Sequence, residues 1–331
     1  MRFAVLNPWG RDPDRMYPGG PSSPRDPGHP PVNYHAYAAC MRGGWFRDVR
    51  AIHPETQAVL VLLRRNGLQE ALAAIRVLKR RGTTCWISWK ESGAHQVAGS
   101  LEDPKRLRLF TLITSEADGF ISSTPGLVDS YRAFGMARGG FIPTPYPLEY
   151  PTWDFSIPIG RRSGVFVGTR EFDVPSRNHM AAICQACVVA AEREKTVSVM
   201  STSPRERRLL LALTDRFKNL RILDGPLPYT EYLAAMAAHE AVFQLDSSHV
   251  PGQVAGDALL TRLPCIGGNG AIDEIVRVPH QPGEAPSSIL RRLLEDPVTA
   301  RESFEAAWLR ATATASYQAG TTMLSQPCGI T

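Results

Sequence analysis

The sequence predicts an α/β protein made of two doubly wound domains, and three observations carry that expectation. Short apolar runs of strand length alternate with stretches of helical spacing along most of the chain. A proline-rich stretch, with Pro143, Pro145, Pro147, Pro151 and Pro158, separates the two series as an extended linker with no room for a core. Residues 241–276 then read as strand, loop, helix and strand, which is the unit of a parallel sheet.

At 331 residues and 43% hydrophobic, the chain can bury two cores of ordinary size, which excludes a disordered protein. Six cysteines are too sparse for a disulfide framework and fit a reducing cytosol, so a cytoplasmic location is expected. Cys184 and Cys187 have metal-ligand spacing, but they lie in an apolar helical run without a second pair and read as core thiols. The N-terminus lacks the pattern of a signal peptide, and no segment reaches the roughly 20 apolar residues of a membrane span. A net charge of +5 favours anionic company, such as a nucleotide, lipid headgroups or nucleic acid.

In chain order, residues 2–6 read as a buried first strand, and residues 11–32, full of Pro, Gly, Asp and Ser, as one long loop. A helix over 33–41 has Asn33 as its expected N-cap and His35 in its first turn, near the carboxyl end of the first strand, where doubly wound sheets bind ligands. Residues 58–63 and 83–89 are further strands, with a helix over 68–79 between them, and the second strand delivers Lys90, Glu91 and His95 to the same edge. A helix over 106–116 and a strand over 119–122 follow. Thr124–Pro125 reads as a helix entry, and a last strand lies at 140–142. The second domain opens with a strand at 164–168 ending on Gly168, followed by Arg170 and a helix from Arg177 or Asn178 to residue 191. Strands at 196–200 and 220–223 flank a charged helix over 204–217, and Thr230 is the expected cap of a helix over 231–238. After residue 276 the chain reads as a loop and two helices, 287–294 and 300–323.

The chemistry centres on residues 241–276. The loop through Gly252 and Gln253 places free N–H groups at a helix N-terminus from about Val254, a ready anion site, and Asp257 lies one turn further on, placed to accept a hydroxyl. The alternative is an ordinary α/β unit with Asp257 a solvated acid.

This segment resembles the donor-binding segment of GT-B-fold glycosyltransferases, particularly the retaining family 4. Asp257-Ala258 falls on the second acid of that pattern and its Ala, Gly252 on its second Gly, and residues 263–265 on the turn into the next strand. His249 stands where the first acid belongs, and Arg262 replaces the usual Gly. The resemblance implies two Rossmann-like domains facing across a cleft: an acceptor-side domain at 1–150, a donor domain at 151–310, and a terminal helix at 311–331 that crosses back to the first domain. It further implies a nucleotide-diphosphate sugar, UDP-linked by preference, held by Gly168, Arg170, Arg177, His249, Gly252, Gln253, Val254 and Asp257. His35 and Glu91 are the catalytic candidates, with Lys90 and His95 on the acceptor side and Gly19-Gly20 near the phosphates. No metal and no other cofactor is expected. The acceptor is a glycan, a lipid-linked glycan or a small molecule, with a DNA base as an alternative. A non-catalytic nucleotide-sugar-binding module and an epimerase of the same fold are the other readings.

Overall fold

The computed structural model describes residues 2–8, 10–90, 93–168 and 172–328. Its strands are β1 (Phe3–Leu6), β2 (Arg15–Met16), β3 (Gly44–Phe46), β4 (Ala58–Leu63), β5 (Thr84–Trp89), β6 (Gly119–Ser122), β7 (Gly139–Phe141), β8 (Val165–Val167), β9 (Val197–Ser201), β10 (Leu220–Asp224), β11 (Ala241–Phe243) and β12 (Cys265–Ile266). They form two sheets. One has the order β2-β3-β1-β4-β5-β6-β7, parallel except for β2, and the other is the parallel array β10-β9-β8-β11-β12. Continuous apolar runs become these strands because each sheet is covered by helices on its faces, so that β1, β4 and β8 are buried at every position.

The chain divides into two compact units. The first comprises the chain up to Glu149, His249–Pro251 and the chain from Thr314. The second comprises Tyr150–Ser248 and Gly252–Ala313. Each has its own core. In the first, Val59, Val61 and Ile87 of the sheet pack with Leu72, Ile75 and Leu78 of the helix Leu68–Arg80 and with Ile113 of the helix Pro104–Glu116. In the second, Val165, Val199 and Phe243 pack with Ile183 and Cys187 of the helix His179–Ala191 and with Leu290 of the helix Pro286–Glu295. Cys187 is a core thiol as expected, while Cys184 is half-buried.

Several local expectations are corrected. The long loop is not free of structure, because β2 pairs antiparallel with β3 and Tyr17 and Val32 are buried. The proline-rich linker buries Tyr146, Leu148 and Trp153, so proline spacing hid side chains that serve the cores. Asn33 has φ 53° and makes no side-chain cap to the helix Tyr34–Cys40; its carbonyl accepts from Ala36 N instead. Thr230 lies inside the helix Tyr229–Ala237, which Pro228 precedes. The predicted long final helix is two, Pro297–Ala315 and Tyr317–Cys328. It breaks because Ser316 turns its hydroxyl onto Ala319 N at 3.1 Å and caps a new helix. No helix among the described residues is long and apolar enough to cross a membrane.

Candidate functional site

Strand order locates a crevice in each unit. In the second sheet the chain leaves β8 toward β9 and leaves β11 toward β12, so the carboxyl ends of these adjacent strands open a gap that no crossover helix of the described residues fills. Gly168 closes β8, its N–H donating to Phe243 O at 3.2 Å. A Cβ there would stand 2.2 Å from Val254 Cγ1, so any larger residue would force Val254 or the helix Gln253–Leu260 to shift. Gly252 precedes that helix with φ 87°, and a Cβ on it would meet Asp273 Oδ2 at 2.8 Å and Ile272 N at 3.1 Å. The amino ends of the helices Gln253–Leu260 and Ala271–Val276 therefore converge on this gap.

Asp273 locks the junction. Its carboxylate accepts from Gly270 N at 2.9 Å and from Gln244 Nε2, just beyond β11, at 2.5 Å. Burial, and then the Asp246 charge, push its pKa up to about 7. Arg177 forms an ion pair with Asp246 whose two side chains are 19% and 9% exposed. Asp246 also accepts from Ser248 N at 2.8 Å, and Ser176 shares a hydrogen bond with Ser248 at 2.8 Å. The loops after β8 and β11 are thus sewn together, and the predicted diphosphate cation already has a carboxylate beside it. Asp257 is 1% exposed and its Oδ1 accepts from Tyr229 Oη at 2.5 Å. Its side chain faces a tyrosine on the neighbouring helix rather than open solvent. His249 is exposed with φ 50°. Arg170 lies outside the described residues.

The first unit has its crevice at β1, which lies between β3 and β4. His35 is 2% exposed, stacked on Trp45 at 3.7 Å on one side and on His29 at 4.0 Å on the other. Its Nδ1 bonds Tyr17 Oη at 2.8 Å and its Nε2 lies 3.5 Å from Asp12 Oδ2. Burial pulls His35 down to about 4, while the His35 ring beside Asp12 holds that carboxyl down to about 2. Lys90 is partly buried at the end of β5; burial, and then Arg64, bring its amine down to about 8. His95 is exposed in the first turn of the helix Ala94–Leu101. Glu91 lies outside the described residues. The loop from Pro13 to His29 walls a cavity of about 550 Å³, with Gly19 and Gly20 in its lining.

The structure therefore gathers Gly168, Arg177, Gly252, Gln253 and Val254 at one strand edge, and His35 and Lys90 at another. Sequence reasoning missed Asp246, Asp273, Gln244, Asp12 and His29. Only Asp273 had a local signal, an acid three residues after Gly270 at a helix start.

No protein-family model matches the chain, and no curated protein matches it by sequence. Solved structures do match by fold. HepE of Anabaena in complex with UDP is 12% identical with a TM-score of 0.66, covering 99% of this chain and 100% of that one. A UDP-forming α,α-trehalose-phosphate synthase of Burkholderia vietnamiensis is 10% identical with a TM-score of 0.62, covering 86% and 75%. A point mutant of S. aureus TarM, in complex with fondaparinux, α-GlcNAc-glycerol and UDP, is 10% identical with a TM-score of 0.58, covering 82% and 55%. At these identities the likeness shows the fold, two Rossmann-like domains of the GT-B type.

Proposed function

We propose that the chain is a glycosyltransferase that moves a sugar from a nucleoside-diphosphate donor to an acceptor hydroxyl. The observation that carries this reading is the glycine-lined gap between β8 and β11, onto which two helix amino ends converge. Departure of a nucleoside diphosphate builds negative charge, and preorganised N–H groups at 252–254 stabilise it without rearranging. Arg177 adds a fixed cation beside them, with Asp246 holding its direction. With these groups the diphosphate needs no bridging metal ion. UDP is the nucleotide of choice because HepE and TarM are described with UDP and the synthase as UDP-forming. Retention of configuration follows from the resemblance of the donor segment to family 4.

Ribose binding by Asp257 requires Tyr229 to share or release the carboxylate, so both residues belong to the donor pocket in this reading. Acceptor contacts fall to Lys90 and His95 beyond β5, because His35 is enclosed by aromatic rings. The acceptor class is a glycan, a lipid-linked glycan or a small molecule.

The test is thermal unfolding with UDP, GDP, ADP and their sugars. A ligand at 100 times its Kd stabilises by about 2.7 kcal/mol, several degrees in a domain of this size. Gly252→Val, whose side chain would enter the space of Asp273 and Ile272 N, should abolish the shift, and Asp257→Asn should weaken it. Absence of any shift in the unaltered protein, or an equal shift in both variants, overturns the assignment.

A further inference from the structure

The first-unit crevice contains a ligand set that transfer chemistry does not use. Asp12, His29 and His35 each offer one donor atom, and the three lie within 4.8 Å of one another. In each ring the Nδ1 atom is engaged from outside the cluster, by Pro30 O at 2.8 Å for His29 and by Tyr17 Oη at 2.8 Å for His35. That is the outer-shell pattern of metal-ligating histidines: the second ring nitrogen is tied to a carbonyl or hydroxyl, which fixes the tautomer and leaves Nε2 free to ligate. His35 Nε2 is buried and faces Asp12 Oδ2 at 3.5 Å, too long for a good hydrogen bond, so two ligand atoms point at each other with room for an ion beside them. The Asp12 side chain, 30% exposed, keeps the cluster open to solvent on one side.

We propose that Asp12, His29 and His35 form a binding site for a divalent transition-metal ion, with zinc the best match to two imidazoles and one carboxylate. Such a set leaves a fourth, water-filled position, and imidazole nitrogen disfavours magnesium and calcium. The two rings are nearly parallel, 13° apart, so one ion can lie in the plane of only one of them. His35 is held by its stack on Trp45 and by the Tyr17 hydroxyl on its Nδ1, whereas His29 sits on the loop. Loading therefore turns the His29 ring off the stack to bring its Nε2 to about 2.0–2.1 Å from the ion. The Lys90 amine, near enough to act on all three residues, opposes a second cation, so the Asp12 charge is needed for binding. The ion joins the loop that walls the 550 Å³ cavity to the helix Tyr34–Cys40 and fixes the shape of that wall. The site involves the first unit alone and does not depend on the donor reading.

The test is titration of tag-free, chelator-treated protein with ZnCl2 by calorimetry, followed by hydrogen exchange with and without zinc. The expected result is one zinc per chain with Kd below about 1 μM, and slower exchange over residues 11–32. Asp12→Asn and His29→Ala, both on the loop, should each weaken binding by roughly 100-fold while circular dichroism stays unchanged. His35→Ala is the weaker probe, since it opens the stack with Trp45. Zinc binding weaker than about 10 μM in the unaltered protein overturns the site. So does equal binding in Asp12→Asn and His29→Ala, which would place the ion on surface histidines such as His53.

Discussion

Asp273 illustrates how a single buried acid sets both the geometry and the pH response of the donor gap. Unfolded, its carboxyl titrates near 3.9; folded, burial and the Asp246 charge hold it at about 7, with Glu274 adding to the rise and the Gly270 N–H opposing it. Between these values the native protein binds a proton that the unfolded chain does not. Stability therefore falls as pH rises from about 4 to about 7, and this contribution is flat above that. Asp273→Asn removes the titration and keeps one oxygen acceptor for Gln244 or Gly270. Urea unfolding of both proteins at pH 5 and pH 8 should show the difference between them shifting in the variant's favour at the higher pH, by on the order of 2–4 kcal/mol. An equal difference at both pH values would mean that Asp273 is ionised throughout. Residues at this scale were legible in the sequence only where their role is local. The spacing sets Gly252 and Asp257 along one helix start, while their donor roles rest on the family resemblance. Asp246 was not legible, and Asp273 only as far as its Gly270 partner three residues back, because Arg177 and Gln244 are distant in sequence and only the sheet brings them together.

At the scale of elements, the end of β8 and the helix Gln253–Leu260 are fitted to each other through one missing side chain. An alanine at Gly168 would put its Cβ 2.2 Å from Val254 Cγ1 and 3.1 Å from Val242 Cγ1, and the first of these contacts requires Val254 or its helix to shift. Gly168→Ala alone should cost roughly 1–3 kcal/mol, as overpacking does. Combined with Val254→Ala it should recover most of that loss, a coupling that a double-mutant cycle in urea reads directly. If the two changes simply add, the close approach is not what requires glycine there. Strand and helix order was legible along most of the second unit because buried parallel strands are short apolar runs set off by turn residues. The short elements were not. β2 is two residues long and polar, held by its pairing with β3, and the helix Ala271–Val276 is short and starts on glycine without a capping side chain. Their stability comes from neighbours that no local pattern reveals.

At the scale of the whole molecule, the chain closes its first unit with its last helix. Tyr317 donates its hydroxyl to Pro31 O, Thr321 Oγ1 donates to Cys40 O at 2.9 Å, and Glu149 accepts from Gln318 N at 2.6 Å. Tyr317 and Leu324 are buried at 2% and 0% exposure, and losing these two side chains from the interior forfeits roughly 3–6 kcal/mol. All these partners belong to the first unit, although more than 250 residues separate Tyr317 from Pro31. A chain ending at Ala315 should therefore lose hydrogen-exchange protection over Tyr34–Cys40 and β1 by 100-fold or more, about 2.7 kcal/mol or greater. Protection over β8, β9 and the helix His179–Ala191 should change little, because their core is built from residues 165–300. The same truncated chain should still respond to the nucleotide that stabilises the untruncated chain, since Gly168, Arg177 and Gly252 remain. Loss of protection spread evenly over both sheets would show instead that the two cores fold as one cooperative unit, and would move the final helix from a first-unit layer to a support of the entire chain.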